Sequence, residues 1–301
     1  MPMDTIIEQP QAASSQWPED SKETLAESGF YWRERDGVKV LVCRPMEDVG
    51  FANGFSTRLG GVTNIMAERS DGVVGSDLNL AGFSEDSREN IYENRRRFFA
   101  VFDHPFKLAT AWQVHGDNIR LVKAEGDLGD SDERADALVS DIGDVMLGVK
   151  TADCVPLLLG DISTGAFAAV HAGWRGTAQS IVKKAVAKMG EIYASNPVDL
   201  VCAIGPAAGC SQYEVGQDVI DAFGQNFDAG SKYFTETREG HALVDLKRAN
   251  EDQLASLGVS RENIYTAPYC TMERPDLFFS YRIEKAKYGR TGRLLSVIGR
   301  Q

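Results

Sequence analysis

The chain mixes short continuous apolar runs with segments in which apolar residues return every three or four positions. Runs such as "VKVLVC" (38–43), "GAFAAV" (165–170), "LVCAIGP" (200–206) and "NIYTAPYC" (263–270) predict buried strands. "GFANGFSTRLGGV" (50–62) predicts a strand running into a glycine-rich loop, and "FKLATAWQVHGDNIRLVKA" (106–124) two strand pieces around a Gly116–Asp117 turn. In "ADALVSDIGDVMLGVKTADCVPLLLGD" (135–161) a strand is expected on either side of Asp153–Cys154. Helical spacing appears in "SRENIYENRRRFFAVF" (87–102), through Ile91, Arg95 and Phe98, and from Thr177 to Ala194, through Ile181, Val182, Ala185, Val186, Met189 and Ile192. Further helices are expected over "EVGQDVIDAFGQ" (214–225) and "ALVDLKRANEDQLASLG" (242–258), the latter stopped by Gly258.

Strands and helices are therefore interleaved, but several strand pairs are joined by connections too short for a crossover helix. This predicts an α+β fold of mixed sheets with flanking helices instead of a doubly wound one. Residues 1–28, rich in Gln, Ser, Pro and Glu, are expected to form a mobile tail, and 29–301 the folded remainder, whose ordered part begins near Phe30.

Composition narrows the function classes. At 301 residues, 43% hydrophobic and 25% charged, the chain is of ordinary globular make-up, and no run of about 18 apolar residues suits a membrane span. A formal charge of −12 opposes the phosphate neutralisation that nucleic-acid binding requires. The N-terminus has neither a basic start nor an apolar core, so residence in the cytoplasm is expected. Five scattered cysteines without C-x-x-C spacing point to reduced thiols.

Only four histidines occur, and two of them, with one cysteine, stand beside turns: His115 in "WQVHGDN", Cys154 in "TADCVPLL" and His171 in "AVHAGWRG". Two neutral imidazoles and a thiolate suit zinc and leave a fourth position open, the arrangement of a catalytic site. Their separations, 39 and 17 positions, satisfy no short metal motif, so the spacing by itself favours satisfied core histidines and an inert buried thiol. Gly173 and Gly176 permit a tight passage from strand to helix, and a helix starting near Thr177 would present free N–H groups to an anion beside His171. Arg175 either reinforces that anion site or stacks on Trp174. Arg58, in "STRLGG", is a second candidate cation, and Asp153 either a proton carrier or a turn cap.

The motifs taken in order, "FSTRLGGV", "WQVHGDN", "ADALVS…TADCVPLLLGD", "AAVHAGWRGT", "AIGPAAG…YEVG", "FFSYR" and "GRLLSVIG", resemble the YfiH-type family, also labelled laccase-domain or multicopper polyphenol oxidase. The likeness covers roughly residues 30 to 300. It implies an α+β sandwich in which His115, Cys154 and His171 hold the metal, zinc or alternatively copper, with Arg58 beside the same pocket. It also implies phosphate-using cleavage of adenosine, inosine and methylthioadenosine, adenosine deamination, and small-molecule partners only, with the oligomeric state left open. One departure stands in "LNLAGFSEDS" (78–87), where Phe83 occupies the place of a histidine in many relatives.

Three competing functions follow. A copper oxidase of phenols is disfavoured by the scarcity of histidines. An amidase, of the kind that edits peptidoglycan precursors, would use Cys154 as nucleophile and His171 as base. A non-enzymatic nucleotide sensor could use the same pocket without turnover.

Overall fold

The computed structural model describes residues 22–65 and 76–301. Helix α1 (Lys22–Glu27) leads into strands β1 (Phe30–Arg35) and β2 (Val38–Cys43). Helix α2 (Arg44–Asp48), strands β3 (Ala52–Ser56) and β4 (Leu59–Thr63) and helix α3 (Arg88–Phe99) follow. The middle of the chain is strand-rich: β5 (Lys107–Ala109), β6 (Ile119–Leu121), β7 (Ala137–Ser140), β8 (Val145–Thr151), β9 (Val155–Asp161) and β10 (Phe167–Ala172). Helices α4 (Trp174–Ala178) and α5 (Ile181–Tyr193), strands β11 (Leu200–Ile204) and β12 (Glu214–Gly216) and helix α6 (Gln217–Asn226) come next. The chain closes with β13 (Phe234–Arg238), β14 (His241–Val244), α7 (Leu246–Ser256), β15 (Ile264–Thr266), α8 (Tyr281–Tyr288) and β16 (Leu294–Arg300).

Two mixed six-stranded sheets, in the orders β1-β2-β3-β16-β8-β5 and β15-β11-β9-β10-β7-β6, carry the architecture, and β12-β14-β13 form a third, smaller sheet. Alternation along the strands explains the layering. In β9, Leu158 packs into the core between the two large sheets, while Leu157 and Leu159 face the layer of α5 and α7. In β8, Leu147 and Val149 face the inter-sheet core, whereas Met146 packs against Phe98 and Phe102 near α3. Strands covered on both faces need apolar residues at every position, which is why they appear as continuous runs. The expected α+β fold of mixed sheets with flanking helices is the one observed.

Several boundaries differ from expectation. Of the expected tail, residues 1–21 lie outside the described residues, whereas α1 already belongs to the ordered chain, with Leu25 buried in the inter-sheet core. The first residues of "EVGQDVIDAFGQ" form β12 and those of "ALVDLK" finish β14, because each completes a ladder of the small sheet before its helix begins. The two pieces of 106–124 do not pair with each other: β5 joins β8 in one large sheet and β6 joins β7 in the other.

That last difference positions the site. The chain passes from one large sheet to the other through residues 110–118, after β5, and again through 152–154, after β8. Since β5 and β8 run parallel, both passages leave the same end of the sandwich.

Candidate metal centre

His115 lies in the first passage and Cys154 in the second, directly before β9. His171 sits on β10 opposite Pro156 of β9, and the next pair in that ladder is Ala172 with Val155, so it arrives beside Cys154 by strand register. The ligand atoms of these three side chains lie within 4.8 Å of one another, and the two imidazole rings meet edge to face with centroids 4.8 Å apart. The sequence separations of these residues gave no hint of this; the sheet passages create it.

Donor type and spacing fit a zinc-like ion. Bonds of about 2.0–2.3 Å in a tetrahedron place such ligands roughly 3.5 Å from one another, a small contraction from the observed spacing. His171 is buried, Cys154 half-buried and His115 exposed, so the cluster is open to solvent on the His115 side. Burial by itself would raise the Cys154 thiol, but the charge of His171 and hydrogen bonds with both histidines bring it below its ordinary value. His171 shifts upward despite burial, because the Cys154 thiolate and Asp136 favour its protonated form.

Gly173 closes the cluster from the side. A β-carbon there would lie 3.1 Å from both Cys154 Sγ and His115 Cδ2, closer than side chains ordinarily pack. At Gly176 it would approach the Gly116 carbonyl oxygen at 3.2 Å. These glycines therefore serve close approach: the first clears room for the ligands, the second for the loop that carries one of them.

The helix after His171 begins earlier than the sequence suggests and is short. α4 covers only Trp174–Ala178, with Gly173 at its N-cap, and Ser180, at φ +59°, breaks it from α5. Thr177 is interior to α4 and buried, its hydroxyl accepting from Asn250 and its carbonyl from Gln253 of α7. One turn and a half of helix carries little of the dipole expected to attract an anion. Arg175 is exposed, with its guanidinium carbon 4.2 Å from the Trp174 ring centroid.

Arg58 and Asp153 each bind α8 through different residues, Arg58 through Glu284 and Asp153 through the Arg282 N–H. The Arg58 guanidinium is completely buried, with Nε on Asp77 at 2.9 Å and Nη1 on Glu284 at 2.6 Å and on the Pro275 carbonyl at 3.0 Å. Its Nη2 has no hydrogen-bond partner among the described residues. Asp153 holds φ +84° and accepts from Thr271 Oγ1 at 2.7 Å, Ser280 Oγ at 3.0 Å and the Arg282 N–H at 2.7 Å. Burial raises its carboxyl above the usual range.

A group to which the sequence pattern assigned no part is Asp136, the one acid of "ADALVS". It is wholly buried. Its Oδ1 accepts from His171 Nδ1 at 2.8 Å and from the His115 N–H at 2.9 Å. Its Oδ2 accepts from the N–H groups of Val114 at 3.1 Å and Gly116 at 2.8 Å. The available signal was an acid directly before a run, "ALVS", that is buried at every position. Phe83, the family departure, packs on Tyr92 with centroids 6.0 Å apart and lies under Arg88, in a surface aromatic group.

A two-sheet α+β sandwich with a His-Cys-His cluster where its sheets exchange strands defines a protein with a candidate metal centre. The family model described as multi-copper polyphenol oxidoreductase laccase matches residues 52–301, and the chain belongs to that family. It is 33% identical over 260 residues to "Purine nucleoside phosphorylase YfiH" of Escherichia coli (strain K12), covering 86% of this chain and 98% of that one. It is 34% identical to "Purine nucleoside phosphorylase YlmD" of Geobacillus stearothermophilus, over 82% of this chain and 92% of that one. The crystal structure of YlmD from Geobacillus stearothermophilus superposes with a TM-score of 0.80 at 32% identity, covering 91% of this chain and 99% of that one. That of the Bacillus licheniformis hypothetical protein YfiH has a TM-score of 0.80 at 27% identity, with 90% and 99% covered. No helix among the described residues is long and apolar enough to cross a membrane.

Proposed function

We propose that this chain is a zinc-dependent purine nucleoside phosphorylase that cleaves adenosine, inosine and methylthioadenosine, with adenosine deamination as a second activity. The observation that carries the reading is the convergence of His115, Cys154 and His171 within 4.8 Å, open past His115. Relatives named purine nucleoside phosphorylase over most of the chain support it.

In phosphorolysis a phosphate oxygen bonds to ribose C1′ while the bond from C1′ to the purine nitrogen breaks; the base leaves with that electron pair and takes a proton. Free base and ribose 1-phosphate result, or methylthioribose 1-phosphate from methylthioadenosine. The candidate holders of phosphate are the unpartnered Nη2 of Arg58, Arg175 at the rim and the main chain at Gly173, and the candidate proton carrier is Asp153. A guanidinium already set between two carboxylates offers phosphate one edge at most. Zinc held by His115, Cys154 and His171 would supply Lewis acidity and lower the pKa of a water, as deamination requires.

Zinc-loaded protein given a panel of nucleosides is expected to release free base only when phosphate is present, to release ammonia from adenosine, and to do neither after Cys154→Ala. Absence of base release from every nucleoside in phosphate buffer overturns the reading.

One observation favours a second reading. Without metal, Cys154, His171 and Asp136 form a thiolate–imidazole–carboxylate chain, the layout of an activated cysteine nucleophile. That is the amidase alternative, and the reactivity of Cys154 separates it from the first. For a multinuclear copper oxidase the imidazoles are too few, since His104 packs on Phe106 and His241 lies on β14, both outside the cluster.

A further inference from the structure

We infer that Asp136 is the positioning residue of the metal centre, a single carboxylate that sets both histidine ligands at once. The inference rests on the metal-site reading above but not on the substrate.

Two oxygens do four jobs. Oδ1 accepts a hydrogen bond from His171 Nδ1–H, which leaves Nε2 as the nitrogen facing Cys154, and the Asp136 carbonyl accepts from the His171 N–H at 2.7 Å. His171 is thus gripped through side chain and main chain by the same residue. The other three bonds hold consecutive N–H groups of Val114, His115 and Gly116. His115 has φ +59°, a left-handed conformation uncommon for a residue with a side chain, and needs such a hold. On its far side the loop meets Gly176, against the Gly116 carbonyl. The first sheet passage is therefore clamped between Asp136 and α4, with the His115 imidazole directed at Cys154.

A carboxylate is the one side chain that fits all four donors, because both its atoms accept only. An asparagine in its place must turn its amide NH2 either toward His171 Nδ1 or toward the N–H groups of Val114 and Gly116. The first choice moves the His171 proton onto Nε2, blocks that ligand and sets the amide against the His115 N–H; the second sets donor against donor at Val114 and Gly116 and releases the loop.

The test is zinc affinity, measured by competition with a chromogenic chelator on Asp136→Asn, wild type and Asp117→Asn. The last removes one carboxylate charge from the loop that Asp136 holds, where Asp117 pairs only with Lys184 among the described residues. Asp136→Asn is expected to bind zinc about 10–100-fold more weakly and Asp117→Asn within about twofold of wild type. A role confined to packing would lower the melting temperature of the metal-free protein and leave the zinc affinity of the folded protein unchanged; that result overturns the inference.

Should Asp136→Asn not fold, nitrogen-15 NMR of histidine-labelled wild type decides. Zinc-loaded protein should show His171 protonated at Nδ1 and coordinated through Nε2, and coordination through Nδ1 overturns the inference. Neither measurement uses a nucleoside, so failure of the phosphorylase reading and failure of this one are told apart.

Discussion

At the scale of single residues, the site depends on a side chain that is missing. Gly173 has φ −70° and ψ 176°, values open to any residue, so its glycine is required by its neighbours and not by its backbone. Gly173→Ala is expected to weaken zinc binding roughly tenfold while shifting the melting temperature of the metal-free protein little, since the added methyl meets Cys154 Sγ and His115. Calorimetric titration with zinc, beside thermal melts of the metal-free protein, checks both parts. Unchanged zinc affinity would show that the ligands have room to spare. The three ligands were legible in the sequence as residues with unusual neighbours, His115, Cys154 and His171 each beside a turn. Asp136 was not, because a buried acid that accepts from three main-chain N–H groups announces itself only once the loop bringing them together is known.

At the scale of elements, the site is built where strands change sheets. This was hidden in the sequence because β8 and β9 are apolar at nearly every position, and such runs do not reveal which sheet each will join. The local order of strand, histidine, glycine and helix was legible. The break at Ser180 was not, since the apolar spacing continues across it. The second passage is pinned to α8 by Asp153, through Thr271, Ser280 and the Arg282 N–H. Asp153→Asn is expected to cost about 1–3 kcal/mol in stability, read from denaturant unfolding, with the zinc stoichiometry unchanged. If Asp153 also carries a proton, turnover in the variant stays low at temperatures where it is fully folded. Recovery to the wild-type rate there would leave Asp153 as a joint alone.

At the scale of the whole molecule, the cysteines report on layering and site together. Cys43 and Cys202 are buried, and burial pushes the thiol of Cys43 up to about 12 and that of Cys202 higher still. Cys270 is buried and also shifted upward, whereas Cys210 is exposed. Alkylation of the metal-free protein, followed by mass spectrometry, is expected to label Cys210 and Cys154 rapidly and the other three only after unfolding. Zinc should protect Cys154 alone. Rapid labelling of Cys154 in the zinc-loaded protein would favour the nucleophile reading over the metal-ligand one.

The two ligand-bearing passages between the large sheets have a mechanical consequence. One ligand rides on each passage and the third on a strand of the second sheet, so an ion gripped by all three acts as a rivet through the layers. Sliding one sheet over the other by an ångström would pull its fastening apart. Resistance to shear, and not only chemistry, is thereby concentrated at a single point at one end of the sandwich.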